Sequence, residues 1–177
     1  EGAIQNAGCG TEIWHGGPGN GETRLVKTAV AVSDHAVNSM IRVSWADCET
    51  EEGKYQFERL DRHFRYCIQY GQKLDIGCFM TSGGIGPMID GARCSYPVYI
   101  HEAMQASPQK DTKDVSFWDK KERWEPNFEN AYFFQRYDAL LQAFAGYLEQ
   151  PVTVGAKTIP RKRLVRCIEM RHFGYWG

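Results

Sequence analysis

Three short segments in which apolar and polar residues alternate constrain the fold of this chain most strongly. These strand-like segments span residues 39–45, 74–80 and 164–170. Between them, apolar residues recur at helical spacing over 57–68 and again over 133–148. The order strand, helix, strand, helix, strand predicts βαβ units and a parallel sheet.

The two faces of these predicted strands differ, and the difference favours a barrel. One face of each strand is apolar, whereas the opposite faces carry polar, charged or small residues: Arg42, Ser44, Asp75, Gly77, Glu169 and Arg171. In a parallel barrel the outer face packs on helices and the inner face carries chemistry near the C-terminal strand ends. A doubly wound sheet would instead bury both faces of its central strands among apolar residues. We therefore predict an α/β fold, namely a partial parallel (β/α) barrel of the TIM type. Its inward ions should form pairs or face a wet cavity.

The length of the chain limits how much of a barrel it can build. A full barrel takes about 250 residues, so 177 residues supply only about the first four βα units. We expect one partial-barrel domain over 1–177, with a long aromatic loop over 81–128 that is functional rather than disordered. Its two open sheet edges would favour self-association or pairing with the missing half-barrel. Because the chain begins with Glu1 rather than Met, we expect a removed targeting segment or a longer gene, and a secreted or periplasmic location.

Composition excludes several classes of function. The formal net charge is −1, so there is no basic excess of the kind that nucleic acid or an anionic membrane selects. No apolar run approaches the roughly 20 residues of a membrane span. The cysteines are dispersed and form no C-x-x-C pair, and Gln105 stands where a zinc protease motif beginning at His101-Glu102 would need His. We predict no metal and no cofactor.

One segment resembles a known enzyme family. Residues 42–57, RVSWADCETEEGKYQF, followed by Leu60-Asp61, resemble a segment of family 42 β-galactosidases and their clan A relatives among (β/α)8 glycoside hydrolases. In those proteins an Arg-bearing strand leads to a Trp, an acidic Glu-Gly turn, an aromatic pair and a Leu-Asp helix start. Thr50 replaces their usual Pro.

Three further segments are similar to parts of the same proteins. Residues 96–99, Tyr-Pro-Val-Tyr, are similar to a Pro-aromatic substrate loop, and residues 124–127 to the lead into the third helix. Residues 171–177 resemble the end of the fourth strand in barrel relatives. The resemblance thus covers about residues 39–177 and implies the first half of a barrel.

The resemblance implies a parent protein that hydrolyses β-glycosidic bonds of a plant or host glycan. Retaining members of the clan use two carboxylates, an acid/base after strand four and a nucleophile on strand seven. On this alignment the acid/base falls at or just past Gly177 and the nucleophile beyond it, so we expect this chain alone to be inactive. Glu169 is the candidate catalytic residue; otherwise it pairs with Arg171 or Arg42. The alternatives are a non-catalytic carbohydrate-binding or assembly module on a barrel scaffold, and a non-barrel α/β protein.

Eight residues are candidates for contacting a glycan substrate. Arg42 matches the clan's strand-two Arg, which orients the nucleophile. The tryptophans could stack on sugar rings or pack in the core, and the remaining residues could bond sugar hydroxyls or line the mouth of the barrel. The candidates are Arg42, Trp45, His101, Glu102, Trp124, Arg171, His172 and Trp176.

Overall fold

The protein is described here by a computed structural model. The described backbone comprises residues 11–15, 37–79, 86–115 and 120–171, and the described side chains are those of 39–77, 86–115 and 120–169. The chain divides into two compact units. The first unit contains residues 1–42, 58–77 and 147–169, and the second contains 43–57, 78–146 and 170–177.

The described residues form strands, short helices and one long helix. The helices are α1 (Trp45–Cys48), α2 (Asp61–Tyr70), α3 (Val98–Gln105) and α4 (Ala131–Glu149), with 3-10 turns at Phe57–Leu60 and Arg161–Arg163. The strands are β1 (Thr11–His15), β2 (Val37–Ser44), β3 (Glu49–Glu51), β4 (Lys54–Tyr55), β5 (Leu74–Phe79), β6 (Met88–Ile89), β7 (Ala92–Arg93), β8 (Thr112–Val115), β9 (Glu122–Glu125), β10 (Pro151–Val154), β11 (Lys157–Pro160) and β12 (Val165–Arg171).

The first unit contains most of a four-stranded sheet. Its strand order is β1-β2-β5-β12, and β1 pairs with β2 in parallel. Helix α2 buries Phe64, Cys67 and Ile68 on one face, as the helical spacing predicts. The helix ends at Gly71, whose left-handed backbone (φ 67°) lets its N–H bond the carbonyl of Cys67. Strands β10 and β11 form an antiparallel hairpin.

The second unit contains a mixed sheet in the order β6-β7-β9-β8. Strands β6 and β7 form a tight hairpin because Asp90 (φ 47°) and Gly91 (φ 80°) both adopt the positive φ that such a turn requires. Strand β9 runs parallel to β7 and antiparallel to β8. The core of this unit is aromatic, since Trp45 and Tyr96 each pack edge-on against Phe133, at 5.6 and 6.0 Å between ring centroids.

The prediction of a partial parallel (β/α) barrel is wrong. Three of the four sheets among the described residues contain antiparallel pairs, and these residues form no parallel barrel of alternating βα units. The physical reason lies in the strand faces on which the prediction depended. Both faces of β2 are buried, because Met40 and Ser44 are as enclosed as Ile41 and Val43. Burial on both faces is also expected of a central strand in an open sheet, so the polar residues of β2 do not indicate the interior of a barrel.

The expected pairing of strand charges occurs, but with a different partner. Asp75 is 1% exposed and accepts two hydrogen bonds from the Arg166 guanidinium, one of them at 2.9 Å from Nε. Arg166 alternates in phase with Ile168, opposite the face that carries Glu169 and Arg171. The prediction that 81–128 is a loop is also wrong for its described part, which contains α3 and β6 to β9. Although Cys167 lies in an apolar periodic segment, which predicts a buried thiol, it is exposed.

Candidate functional site

A cleft in the second unit is the candidate site. Its volume of about 440 Å³ lies within the usual range for small-molecule pockets, roughly 300–1,000 Å³. One wall comes from α1 and β3 and the other from the segments before β6 and at the start of α3. The lining residues are Ala46, Asp47, Glu49, Thr50, Gly86, Pro87, Pro97 and Val98.

The first wall is shaped by a capped turn of helix. Ser44 precedes α1 with an extended backbone, and its Oγ accepts a hydrogen bond from the backbone N–H of Asp47 at 3.1 Å. The same hydroxyl donates to Oδ2 of Asp47 at 2.7 Å. These two bonds hold the half-buried Asp47 side chain in the lining of the cleft.

The second wall depends on close backbone packing. Gly86 has φ 107°, and a Cβ at this position would overlap the carbonyl oxygen of Cys94, so only glycine fits. The N–H of Cys94 in turn bonds the carbonyl of Pro87 at 2.8 Å. A backbone bond from Ala46 to the carbonyl of Ser95, at 3.0 Å, joins the two walls.

Glu49 is a wholly buried carboxylate in the lining of the cleft. It is 0% exposed. Its Oε2 accepts from the indole Nε1 of Trp45 at 2.7 Å. Its Oε1 accepts from the backbone N–H of Gly53 (2.7 Å), the Tyr99 hydroxyl (2.8 Å) and a guanidinium nitrogen of Arg136 (2.6 Å). Three of these donors thus converge on Oε1 and one on Oε2, and all four belong to groups that enclose the carboxylate.

Two neighbours of Glu49, Arg136 and Tyr99, keep their protons at neutral pH. Burial alone would lower the pKa of Arg136, but its hydrogen bonds to Tyr99 and Glu49 outweigh burial and raise it. Burial raises the pKa of the Tyr99 hydroxyl, against the opposing effect of Arg136. Arg136 therefore stays cationic and Tyr99 stays a donor at neutral pH. A second carboxylate, Glu52, lies 3.3 Å from the guanidinium on its more exposed side.

A second buried carboxylate, Asp111, binds one of the predicted site residues, His101. The Asp111 side chain is 0% exposed and contacts Nδ1 of His101 at 2.7 Å. It also accepts hydrogen bonds from the Tyr96 hydroxyl and the Gln105 amide. The His101 ring lies 4.4 Å from that of Trp124, and burial raises the pKa of Tyr96. The cluster is sealed within the unit, which favours a structural role.

The predicted site residues of the second unit lie in different places. Trp45 is 0% exposed and packs on Phe133 and Tyr137, so it presents no face to a ligand. Trp124 is 8% exposed and donates to the carbonyl of Ile89. Glu102 is exposed on α3. None of the three lines the cleft.

The remaining predicted site residues belong to the first unit or lie outside the description. Arg42 in β2 and Glu169 in β12 are half-buried residues of the first unit. The side chain of Arg171 and the whole of His172 and Trp176 lie outside the described residues.

Sequence reasoning missed the residues that build the cleft. Ser44-x-x-Asp47 is a helix-start pattern and could have been recognised. Glu49 and Tyr99 lie in segments that the resemblance singled out, but nothing in the sequence pairs them with each other or with Arg136, because they meet only in the folded unit.

The described residues contain neither a cluster of metal ligands nor a membrane-spanning helix. Within this part of the chain, no group of three or more His, Cys, Asp or Glu side chains is arranged to hold a metal ion. No helix there combines the length and the apolar character needed to cross a membrane.

Comparison with known proteins does not assign a family. No protein-family model matches the chain, and no curated protein is significantly similar to it. The geometry of the cleft and the resemblance of residues 42–57 and 96–99 are therefore the basis for a functional proposal.

Proposed function

We propose that this chain binds carbohydrate in the cleft, as the substrate-binding part of a glycoside hydrolase-like protein. One observation carries the proposal. Residues 46–50 belong to the segment that resembles glycoside hydrolases, and residues 97–98 belong to the segment similar to their substrate loop. The two segments, far apart in sequence, line the same cleft.

The chemistry of the lining supports this ligand class. A sugar presents hydroxyl groups around its edge and C–H groups on its faces. The carboxylate of Asp47 and the hydroxyl of Thr50 can hydrogen-bond hydroxyl groups, while Pro97, Val98 and Pro87 supply apolar contact. A few placed polar groups in an otherwise apolar lining are typical of small-molecule sites.

The lining supports binding more directly than cleavage. Retaining hydrolysis needs two carboxyl groups about 5–5.5 Å apart, of which one gives and takes a proton. Glu49 accepts four hydrogen bonds and is not available for this exchange. Hydrolysis of a β-glycosidic bond by the parent protein stays a prediction from the resemblance. The alternative is a non-catalytic carbohydrate-binding or assembly module.

Titration calorimetry with a panel of neutral β-linked di- and trisaccharides tests the proposal. We expect measurable binding to the unmodified chain and an affinity about tenfold weaker in Asp47→Asn, because a charged acceptor is lost. Asp114→Asn, the matched control on exposed strand β8, should bind within about twofold of the unmodified chain. Absence of binding to every sugar, or equal loss in both variants, would contradict the proposal.

Aryl β-glycosides then separate the hydrolase from the alternative. The assay compares this chain with any longer product of its gene. Turnover by the longer product supports a hydrolase. Sugar binding without turnover in both supports a binding or assembly module.

A further inference from the structure

Glu49 occupies the junction between the two walls of the cleft. It belongs to β3 in the first wall, and it accepts a hydrogen bond from Tyr99, which follows Pro97 and Val98 of the second wall. We infer that Glu49 is a positioning residue that sets the spacing of the walls, and that Tyr99 and Arg136 act through it. The consequence for ligand binding rests on the proposed carbohydrate function.

The burial of the Glu49 carboxylate among its own hydrogen-bond donors supports a positioning role rather than ligand contact. All four of its donors come from the protein, and they belong to α1, the turn after β3, α3 and α4. Because the Glu49 side chain is 0% exposed, a ligand hydroxyl could reach it only if one of these groups moved. The side chain thus fixes four segments at one point beneath the cleft lining.

Arg136 keeps this junction charged. Its guanidinium lies 2.6 Å from Oε1 of Glu49 and its side chain is only 13% exposed. A buried carboxylate that loses its cation must take up a proton or move toward water. Either response would weaken the bond to Tyr99 and release the second wall, although Arg136 itself does not line the cleft.

Trp45 provides a reporter of this junction that needs no ligand. Its indole N–H donates to Oε2 of Glu49 at 2.7 Å within a wholly buried environment. The proton resonance of that N–H depends on its bond to the carboxylate. Any displacement of Glu49 should therefore shift the resonance.

The experiment compares two Tyr→Phe variants. Tyr99→Phe removes one donor to Glu49, whereas Tyr132→Phe removes a hydroxyl that donates to Glu52 at 3.3 Å and does not touch Glu49. We expect Tyr99→Phe to shift the Trp45 indole resonance and the amide resonances of Asp47 and Val98, and to weaken sugar binding about fivefold. Tyr132→Phe should change neither.

Arg136→Met tests the same junction by removing the cation beside Glu49, and it should also weaken sugar binding. Arg136→Lys should restore part of the lost affinity. Should Arg136→Met not fold, Tyr99→Phe still decides. Unmoved resonances in Tyr99→Phe, or moved resonances with unchanged sugar affinity, would overturn the inference. Should the unmodified chain bind no sugar, the proposed function fails. In that case the positioning role of Glu49 is tested by whether Tyr99→Phe shifts the resonances of Asp47 and Val98 in ligand-free protein.

Discussion

Each of the two units buries an arginine against a carboxylate, but the two pairs are built differently. In the first unit Arg161 lies 2.8 Å from Asp61, and in the second Arg136 lies 2.6 Å from Glu49. The Arg161 guanidinium bonds the carbonyls of Gln150 and Pro151 and covers the ring of Tyr147 at 4.3 Å. It therefore ties backbone segments together.

The pair in the second unit has side-chain partners and an adjoining cleft. Arg136 contacts two carboxylates and the Tyr99 hydroxyl, and its main partner Glu49 lines open volume. The same kind of ion pair thus stabilises packing in the first unit and supports the wall of a site in the second. What surrounds the pair, rather than the pair itself, indicates its role.

The largest expected effect belongs to the first unit. Arg161→Met should lower the free energy of unfolding by about 3–4 kcal/mol, because it leaves Asp61 and two carbonyls without their cation. Urea unfolding measures this loss. The neighbouring Lys162→Met removes an exposed pair with Glu149 and should cost under about 1 kcal/mol. If Arg161→Met also abolished sugar binding in folded protein, this would contradict a purely structural role for the Arg161 pair.

In the second unit, the cleft backbone should be the most sensitive feature. Gly86→Ala forces a Cβ onto the Cys94 carbonyl at positive φ, and we expect a loss of about 2–3 kcal/mol together with weaker sugar binding. Gly91→Ala is the matched control, since Gly91 also has positive φ but has no atom near its missing Cβ. It should cost only about 1 kcal/mol in thermal or urea unfolding. Equal losses of unfolding free energy in the two variants would contradict close packing of Gly86 against Cys94 at this wall.

The Asp111 cluster tests whether damage to any buried hydrogen-bond cluster of the second unit weakens sugar binding in the cleft. Asp111→Asn should lower the free energy of unfolding by about 2 kcal/mol, because Tyr96 and His101 lose a charged acceptor. Sugar affinity of the folded variant should stay unchanged, because Asp111 does not line the cleft. Calorimetric titration of the variant checks this. A loss of affinity equal to that of Tyr99→Phe would show that the junction at Glu49 has no special position.

The smallest expected effect is a loss of stability at high pH, to which a buried thiol in each unit contributes. Burial raises the pKa of Cys67 and of Cys94 from the ordinary 9.0 to about 12. Above pH 9 the unfolded thiol loses a proton that the folded one keeps, so stability falls as pH rises toward 12. The slope is at most about 1.4 kcal/mol per pH unit for each thiol. Cys67→Ala and Cys94→Ala should each make the loss between pH 9 and 10 shallower, as urea unfolding would show. A slope identical to that of the unmodified chain would contradict the burial argument.

Elements with sustained periodicity were predicted from the sequence, and short elements were not. The apolar spacing from Phe57 to Ile68 predicted α2, which the structure confirms. The segment 81–128 contains strands of two to four residues, too short for any period to show. Its one strong local signal, Asp90-Gly91, marks a hairpin that the sequence analysis did not recognise.

The site could not be predicted from the sequence, because tertiary contacts create it. The segment around Asp47 was recognised through its resemblance, but Glu49 acquires its role only from Tyr99 and Arg136, 50 and 87 residues away. For Trp45 the sequence left two possibilities, stacking on a sugar or packing in the core. Its complete burial favours the core.

Mapping of sugar contacts by amide resonances tests the central claim most directly. Adding a neutral β-linked oligosaccharide to the isotope-labelled chain should shift the resonances of Asp47, Thr50 and Val98 most, with those near Asp111 unmoved. Saturable shifts confined to the cleft are the predicted result. Saturable shifts elsewhere, or none at all for any sugar, would contradict the assignment of this cleft to carbohydrate.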